Sequence, residues 1–432
     1  MLKKSINIVE STILKNHYRG YDRYDGLHSP IFKIPFLNQQ KFRFYFQQIT
    51  KRLPGNFRPL LAIPKGYNPV TLGLCLQGFA YLSQVDSEEK DDYLARIDHL
   101  IGELVKLQSV RKVQGQSGPQ ELERKRLAER KTRRSRRDAF EPGNEDRRSR
   151  RDALEQESAG SDYSGACWGY DFDWEARYAS LPAYTPTVVA TGIITNALFA
   201  VWELTQNQSA LDLCISAAKF VRNDLNKVYD GDLFCYSYSP FDKQVVFNAT
   251  MKGARLLAQV YSVTGDVSLK DEAEKTVRFV MQHQNANGAW VYSHKDDRNW
   301  VDNYHTGYIL DCLDAYIKLT GDKTFSEQMQ RGFRYYRDNF FEKGRIPKFY
   351  DKKTYPVDCT SAAQSILTLV CFGELDTAQK VAEWMIDNMQ GKDGHFYFRK
   401  YKYFTSKVSF MRWSNAWMFA GLAYLLFRRE GS

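Results

Sequence analysis

Four residues, Asp302-Asn303-Tyr304-His305, put a carboxylate, a phenol and an imidazole within one helical turn of each other. A second carboxylate, Asp358, opens Asp-Cys-Thr farther on, and Asp171 and Asp173 flank a phenylalanine in Asp-Phe-Asp-Trp. Two carboxylates can share acid and base work at a glycosidic bond, so Asp302 with Asp358, or Asp173 with either, are candidate catalytic pairs. His305 or Tyr304 could instead remove a proton beside a uronate carboxylate that Arg412 neutralises. Flat side chains crowd the same stretches: Trp168, Trp174, Trp290, Tyr292, His294, Trp300, Tyr350 and Trp413. Rings that cover the C–H face of a sugar, beside carboxylates such as Asp171 that accept its hydroxyls, are what a saccharide cleft needs. Asp171 and Asp173 leave a divalent cation open, although two carboxylates are a thin ligand set; no cofactor is expected. Each residue also has a structural reading. Asp302 and Asp358 stand where helix caps belong, His305 could be a core histidine, and the rings could staple loops to helix ends.

The elements that carry these residues repeat. Apolar helices are expected to begin near Asn68, Thr185, Asn248, Asp302, Asp358 and Ser414, at intervals of 54 to 65 residues once residues 108–159 are set aside. Helical periodicity dominates, with no alternating run long enough for a central sheet. Each apolar helix leads through a short turn, such as Thr264-Gly265-Asp266 or Thr320-Gly321-Asp322, into a helix with one polar face and then a glycine-aromatic loop. Polar-faced helices are expected at 88–107, 208–226, 267–284, 324–341 and 375–390, with 38–52 as the sixth. Helices apolar on all sides are buried and amphipathic ones cover them. An all-α ring of six inside six is therefore expected, with every glycine-aromatic loop and every inner-helix N-terminus on one rim. Converging helix N-termini offer unpaired N–H groups and partial positive charge to anionic groups.

This pattern resembles the (α/α)6 toroids, a class that includes six-hairpin glycosidases, polysaccharide lyases, terpenoid cyclases and protein prenyltransferases. The architectural resemblance covers residues 36 to 428. Gln284 to Trp290 resembles the Gln-x-x-x-Gly-x-Trp repeat of the cyclases, as does Gln390 to Phe396 with Phe for Trp. The stretch from Asp302 to Thr306 is similar to the one around the zinc-binding histidine of prenyltransferase β-subunits, and Asp358-Cys359-Thr360 to the acid-donor motif of oxidosqualene cyclases. In the prenyltransferases, however, the aspartate and cysteine ligands precede the histidine, whereas Asp358 and Cys359 follow His305. Gly20-Tyr21-Asp22-Arg23-Tyr24-Asp25-Gly26-Leu27-His28-Ser29-Pro30, ahead of the toroid, resembles bacterial proteins that accompany surface-polysaccharide assembly enzymes.

Composition narrows the class. At 432 residues and 43% hydrophobic content the chain can bury a large core. Its seven cysteines are odd in number and lack any Cys-x-x-Cys pair, against a disulfide framework or a structural zinc. Residues 111–160 carry fifteen Lys/Arg against ten Asp/Glu, half of the formal net charge of +10, and hold Arg-Arg-Ser-Arg-Arg-Asp-Ala twice. That charged, low-complexity insert at 108–159 reads as a solvated loop, and interspersed acids make nucleic acid an unfavoured partner. The expected domain plan is an extension over 1–35 and one toroid over 36–430. A cytoplasmic location is expected from the early Asn7 and Glu10, with Val188–Trp202 a buried helix instead of a membrane span. Three functions compete: an enzyme acting on a poly- or oligosaccharide with acidic sugars (hydrolase, lyase or epimerase), an isoprenoid enzyme, and a non-catalytic glycan-binding toroid. Oligomeric state is open.

Overall fold

The computed structural model describes residues 1–53, 55–110, 163–176, 180–294 and 296–431. The repeated 133–139 and 147–153 segments, and most of the charged insert, lie outside them. Helices α1 (Leu2–Lys15) and α2 (Gln40–Thr50) come first. Five hairpins follow: α3 (Pro69–Leu82) with α4 (Lys90–Lys106), α5 (Val188–Thr205) with α6 (Gln208–Asp224), α7 (Phe247–Thr264) with α8 (Val267–Met281), α9 (Asn303–Thr320) with α10 (Ser326–Asn339), and α11 (Cys359–Cys371) with α12 (Leu375–Met389). A π-helical turn, Met411–Ala416, leads into α13 (Trp417–Glu430).

Helices α3, α5, α7, α9, α11 and α13 each pack on the next, and α13 returns to α3, closing an inner ring. The chain is an (α/α)6 toroid. Every residue of α3 is buried, as are nearly all of α11 and most of α5, because neighbours and partner cover an inner helix. Helix α5 is long and apolar enough to cross a membrane, yet it is one of these inner staves and largely buried.

Local signals set the helix ends. Asn68, Thr187, Asp302 and Asp358 cap α3, α5, α9 and α11 with side-chain oxygens that accept backbone N–H bonds. At the opposite end, Gly265 and Gly321 take the left-handed conformation, φ +72° for each, which a side chain disfavours. Each bonds back to the helix just ended; Asp266 then caps α8, while Asp322 accepts the Thr324 N–H in the turn ahead of α10.

One expectation is corrected. The sixth outer helix is α1 and not the 38–52 segment, so the chain's beginning closes the ring that its end completes. Helix α1 packs on α13 and buries Leu2, Ile6, Val9 and Ile13. The Gln-x-x-x-Gly motifs show why α1 fits there. The Gln284 amide donates to the Gly288 and Gln328 carbonyls and accepts from Arg331, clasping the start of α10. The Gln390 amide repeats this on α1, donating to the Gly394 and Ser5 carbonyls and accepting from the Ser5 hydroxyl at 2.7 Å. A Cβ on Gly288 would stand 2.5 Å from the Arg331 carbonyl oxygen, and one on Gly394 would stand 2.6 Å from that of Ile8, so both glycines permit the same close approach. On its other flank α1 pairs Glu10 with Arg96 of α4. Helix α2 lies instead across the mouth of the ring.

These placements set a contrast. Ile6→Ala should lower unfolding free energy by about 2–5 kcal/mol, whereas Ile49→Ala, on the exposed side of α2, should change it by less than ~0.5 kcal/mol. Urea denaturation followed by circular dichroism measures both.

Candidate active site

The inner-helix N-termini and the glycine-aromatic loops surround a cavity of about 490 Å³ at one end of the ring. Its lower wall comes from inner helices: Val189 and Ile193 of α5, Asn248 of α7, Tyr304, His305 and Tyr308 of α9, Thr360 of α11 and Trp417 of α13. Residues Tyr170, Phe172, Trp174, Tyr238, Tyr292 and Trp300 build the sides, and Phe44 and Gln48 of α2, with Lys51 at its C-cap, reach in from above.

Asp302 and His305 meet there through the cap that begins α9. Asp302 Oδ1 accepts the His305 backbone N–H at 3.0 Å while Oδ2 accepts from the ring Nδ1 at 2.6 Å. Trp300 Nε1 also donates to Oδ2, at 2.9 Å. The carboxylate is buried and fully engaged. With Nδ1 bonded to Asp302, Nε2 is the nitrogen left for the cavity, and the carboxylate holds the ring's orientation as a positioning group. Rings pack about the imidazole: Tyr304 and Tyr292 have centroids 3.9 and 4.5 Å from it, and Trp300 stacks on Tyr292 at 4.9 Å.

Burial raises the phenols of Tyr170, Tyr238, Tyr292, Tyr304 and Tyr308 above their ordinary range, so they remain protonated donors at neutral pH. Lys51 moves the opposite way, to about 7, through burial and then the nearby Arg23, Arg52 and Arg399. Asn248 Oδ1 and Gln244 Nε2 are buried without a protein partner, two hydrogen-bonding groups that a polar ligand can satisfy. Arg298 joins this wall, donating to Gln244 Oε1 at 2.9 Å and to Asp296.

Other expected site residues are placed elsewhere. Asp358 is fully buried and outside the cavity lining, where Arg399 Nε donates to it at 2.6 Å and Trp413 Nε1 at 3.3 Å. The pairing of Asp302 with Asp358 across a sugar is therefore withdrawn: the Arg399 ion pair consumes the second carboxylate. Asp173 binds Arg43 of α2 at 2.7 Å and the Ala183 N–H, making it a clamp for α2. Asp171 is buried against Asn68 at 2.6 Å. Trp168 and Trp290 are core staples, their indole N–H groups donating to the Leu104 and Val280 carbonyls. His294 meets His283 edge-on behind the wall, and Tyr350 lies outside the cavity on the rim. Arg412 does line the cavity, but Asp22 takes it in two bonds of 2.7 and 2.8 Å, so its charge is already met. Trp174, Tyr292, Trp300, Tyr304 and Trp413 are cavity residues.

Among the residues lining the cavity Asp297 is the one carboxylate. Among the described residues no three His, Cys, Asp or Glu side chains are grouped to hold a metal ion. Cys359, adjacent to Asp358, is buried against the Ser414 carbonyl, so the prenyltransferase-like ligand set does not assemble around His305. Sequence reasoning missed Tyr308, Asn248, Thr360 and Trp417, whose one signal was their position within the first turns of apolar helices, and Lys51, assigned to an outer helix.

Below the floor made by Ile193, Tyr308 and Trp417 lies a chamber of about 160 Å³. Lys252, fully buried, holds its ammonium 3.5 Å from the Tyr308 ring centroid, and burial lowers its pKa to about 7. Asp311, raised by burial to about 6, shares this chamber with Arg255 and Gln364.

No protein-family profile matches the chain, and no curated protein matches its sequence. Solved structures do match its fold. A cellobiose 2-epimerase from Bacillus thermoamylovorans superposes with a TM-score of 0.57 at 12% identity, covering 84% of this chain and 88% of that one. A sugar epimerase from a ruminal bacterium gives 0.56 at 12%, covering 85% and 90%. A GH76 α-mannanase from Bacteroides thetaiotaomicron gives 0.55 at 11%, covering 83% and 86%.

Two stability measurements follow. Arg399→Met leaves Asp358 buried and unpaired and should cost about 3–5 kcal/mol in urea unfolding. Lys252 has a folded pKa near 7, below its ordinary 10.5, so the folded chain binds fewer protons than the unfolded one between those values. Stability from this group therefore rises with pH across that window. Lys252→Met should flatten the rise, measured as unfolding free energy against pH.

Proposed function

We propose that this toroid binds a short saccharide in the aromatic cavity and that His305 moves a proton on the sugar ring, as an epimerase or lyase does. The supporting observation is the His305–Asp302 pair in a cavity with a single lining carboxylate. Hydrolysis by the usual route needs two carboxylates across the scissile bond. Asp358 is occupied by Arg399 and Asp173 by Arg43, which disfavours that route.

The chemistry follows from the groups present. A C–H beside an aldehyde, ketone or carboxylate carbon loses its proton when that carbon's oxygen is stabilised by hydrogen-bond donors. The protonated tyrosines around His305 supply such donors. Imidazole is the side chain most often used for general acid–base transfer, and its Nε2 would take the proton. Return of the proton to the other face gives an epimer, while departure of the group on the next carbon gives an unsaturated sugar. Trp174, Tyr292, Trp300 and Trp413 are suited to cover the sugar's C–H faces. The epimerases among the fold's solved relatives make a reducing-end aldose the first substrate class to try, and Lys51 would favour acidic sugars. No metal or cofactor is required by this scheme.

The test is proton exchange. Reducing disaccharides and uronate oligosaccharides incubated with the protein in deuterated water should take up deuterium beside the carbonyl carbon, read by NMR. His305→Asn should slow uptake by about 10²- to 10⁴-fold, and Asp302→Asn should slow it less while leaving sugar affinity in place. Sugar binding with undiminished turnover in His305→Asn would sink the assignment, and binding with no reaction at all would leave a glycan-binding toroid.

A further inference from the structure

Helix α2 is turned inside out. Its inward side is polar: Gln47 is buried, donating to the Tyr24 and Asp173 carbonyls and accepting the Glu175 N–H, and Arg43 reaches Asp173 and Glu175. Its outward side carries Phe42, Tyr45 and Ile49, the last two 64% and 59% exposed. Polar bonds hold this helix to the toroid, with Phe44 lining the cavity and Phe46 packed on Phe32, while Phe42, Tyr45 and Ile49 remain exposed.

The surrounding segment continues the pattern. Among the described residues, seven of the fifteen large apolar side chains that remain exposed fall between Ile34 and Leu60, too many in one short stretch for scattered surface apolars. Residues 33–65 contain seven Lys/Arg and no Asp or Glu. Arg43 and Arg58 are spent on internal carboxylates and Lys51 faces the cavity, leaving Lys33, Lys41, Arg52 and Lys65 exposed. A second rim element agrees with it. The hairpin turn at 401–404 presents Tyr403 (86% exposed) and Phe404 with Lys402 between Tyr401 and these rings, and its strand holds Arg399, which lies close enough to Lys51 to depress its pKa.

We propose that this face of the mouth docks on an anionic phospholipid surface, with α2 lying in the headgroup layer. Tyr45, Ile49, Phe36 and Leu60 enter the acyl boundary while Lys33, Lys41 and Arg52 meet lipid phosphates. An interfacial helix combines these two features, an apolar face and flanking cations. A soluble acidic glycan would meet the cations and leave Ile49 and Leu60 in water, whereas a phospholipid surface meets both. The docking is independent of the reaction in the cavity. Because Phe44, Gln48 and Lys51 line the cavity from the other flank of the same helix, seating α2 on lipid sets the mouth beside the membrane.

Vesicle flotation of the full chain tests this, using phosphatidylcholine vesicles with and without phosphatidylglycerol. The protein should float with the phosphatidylglycerol vesicles and not with phosphatidylcholine alone, and added salt should release it. The double variant Tyr45→Ser/Ile49→Ser and the double variant Lys41→Glu/Arg52→Glu should each lose most of that binding, with melting temperatures unchanged. The proposal is overturned if the wild-type chain floats with neither vesicle, or if Tyr45→Ser/Ile49→Ser floats as the wild type does. It is equally overturned if that variant only converts a dimer to a monomer in sedimentation, which would make the face an interface between copies.

Discussion

Closure of the inner ring on itself is the constraint on which everything else depends. Six helices that bury most of their residues need two neighbours and a cover each, and the last must therefore return to the first. The packing of α13 on α3 meets the first need, and α1 meets the second. The energetic weight lies in apolar area removed from water, but register comes from hydrogen bonds at the seams. The amides of Gln284 and Gln390 each tie a loop to the next outer helix, one within the chain and one across its two ends. The Gln-x-x-x-Gly motif is thus a seam clasp in this chain, and its second copy joins the loop after α12 to α1.

A closed ring brings six helix starts to one mouth, and burial then sorts the carboxylates that gather there. Isolated carboxylates cannot stay charged in such surroundings without a partner. Asp22 takes Arg412, Asp25 takes Arg58, Asp358 takes Arg399 and Asp173 takes Arg43. Asp302 has His305 instead, so its partner is a group that can give and accept a proton. That difference sets Asp302 apart from the carboxylates held in ion pairs, two of which, Asp22–Arg412 and Asp173–Arg43, hold the N-terminal segment over the mouth. The polar network that pins this segment also fixes which side of α2 looks outward, so lid and cavity share one set of anchors.

The fold was largely legible in the chain. The period of apolar helices, the Thr-Gly-Asp turns and the caps at Asn68, Asp302 and Asp358 are local signals, and five outer helices fell where the amphipathic pattern put them; the cap of α5 falls at Thr187 and not at the expected Thr185. The sixth was misread because 38–52 and 2–15 carry similar amphipathic strength, and periodicity does not say which face meets the protein. In α2 the buried face is the polar one, held by Arg43 and Gln47 to residues more than 120 positions away.

By itself, then, the sequence determined the ring, its mouth and the placing of Asp302, Tyr304 and His305 at the start of an inner helix, because helix periodicity and capping depend on near neighbours. Only the tertiary structure decided which rim residues are free to act. Trp168 and Trp290 spend their indoles on backbone carbonyls, and Asp358 and Asp173 spend their charge on Arg399 and Arg43. Those partners lie tens to more than a hundred residues away for most of these groups. Burial and pairing are properties of the assembled chain, and no spacing within a motif records them.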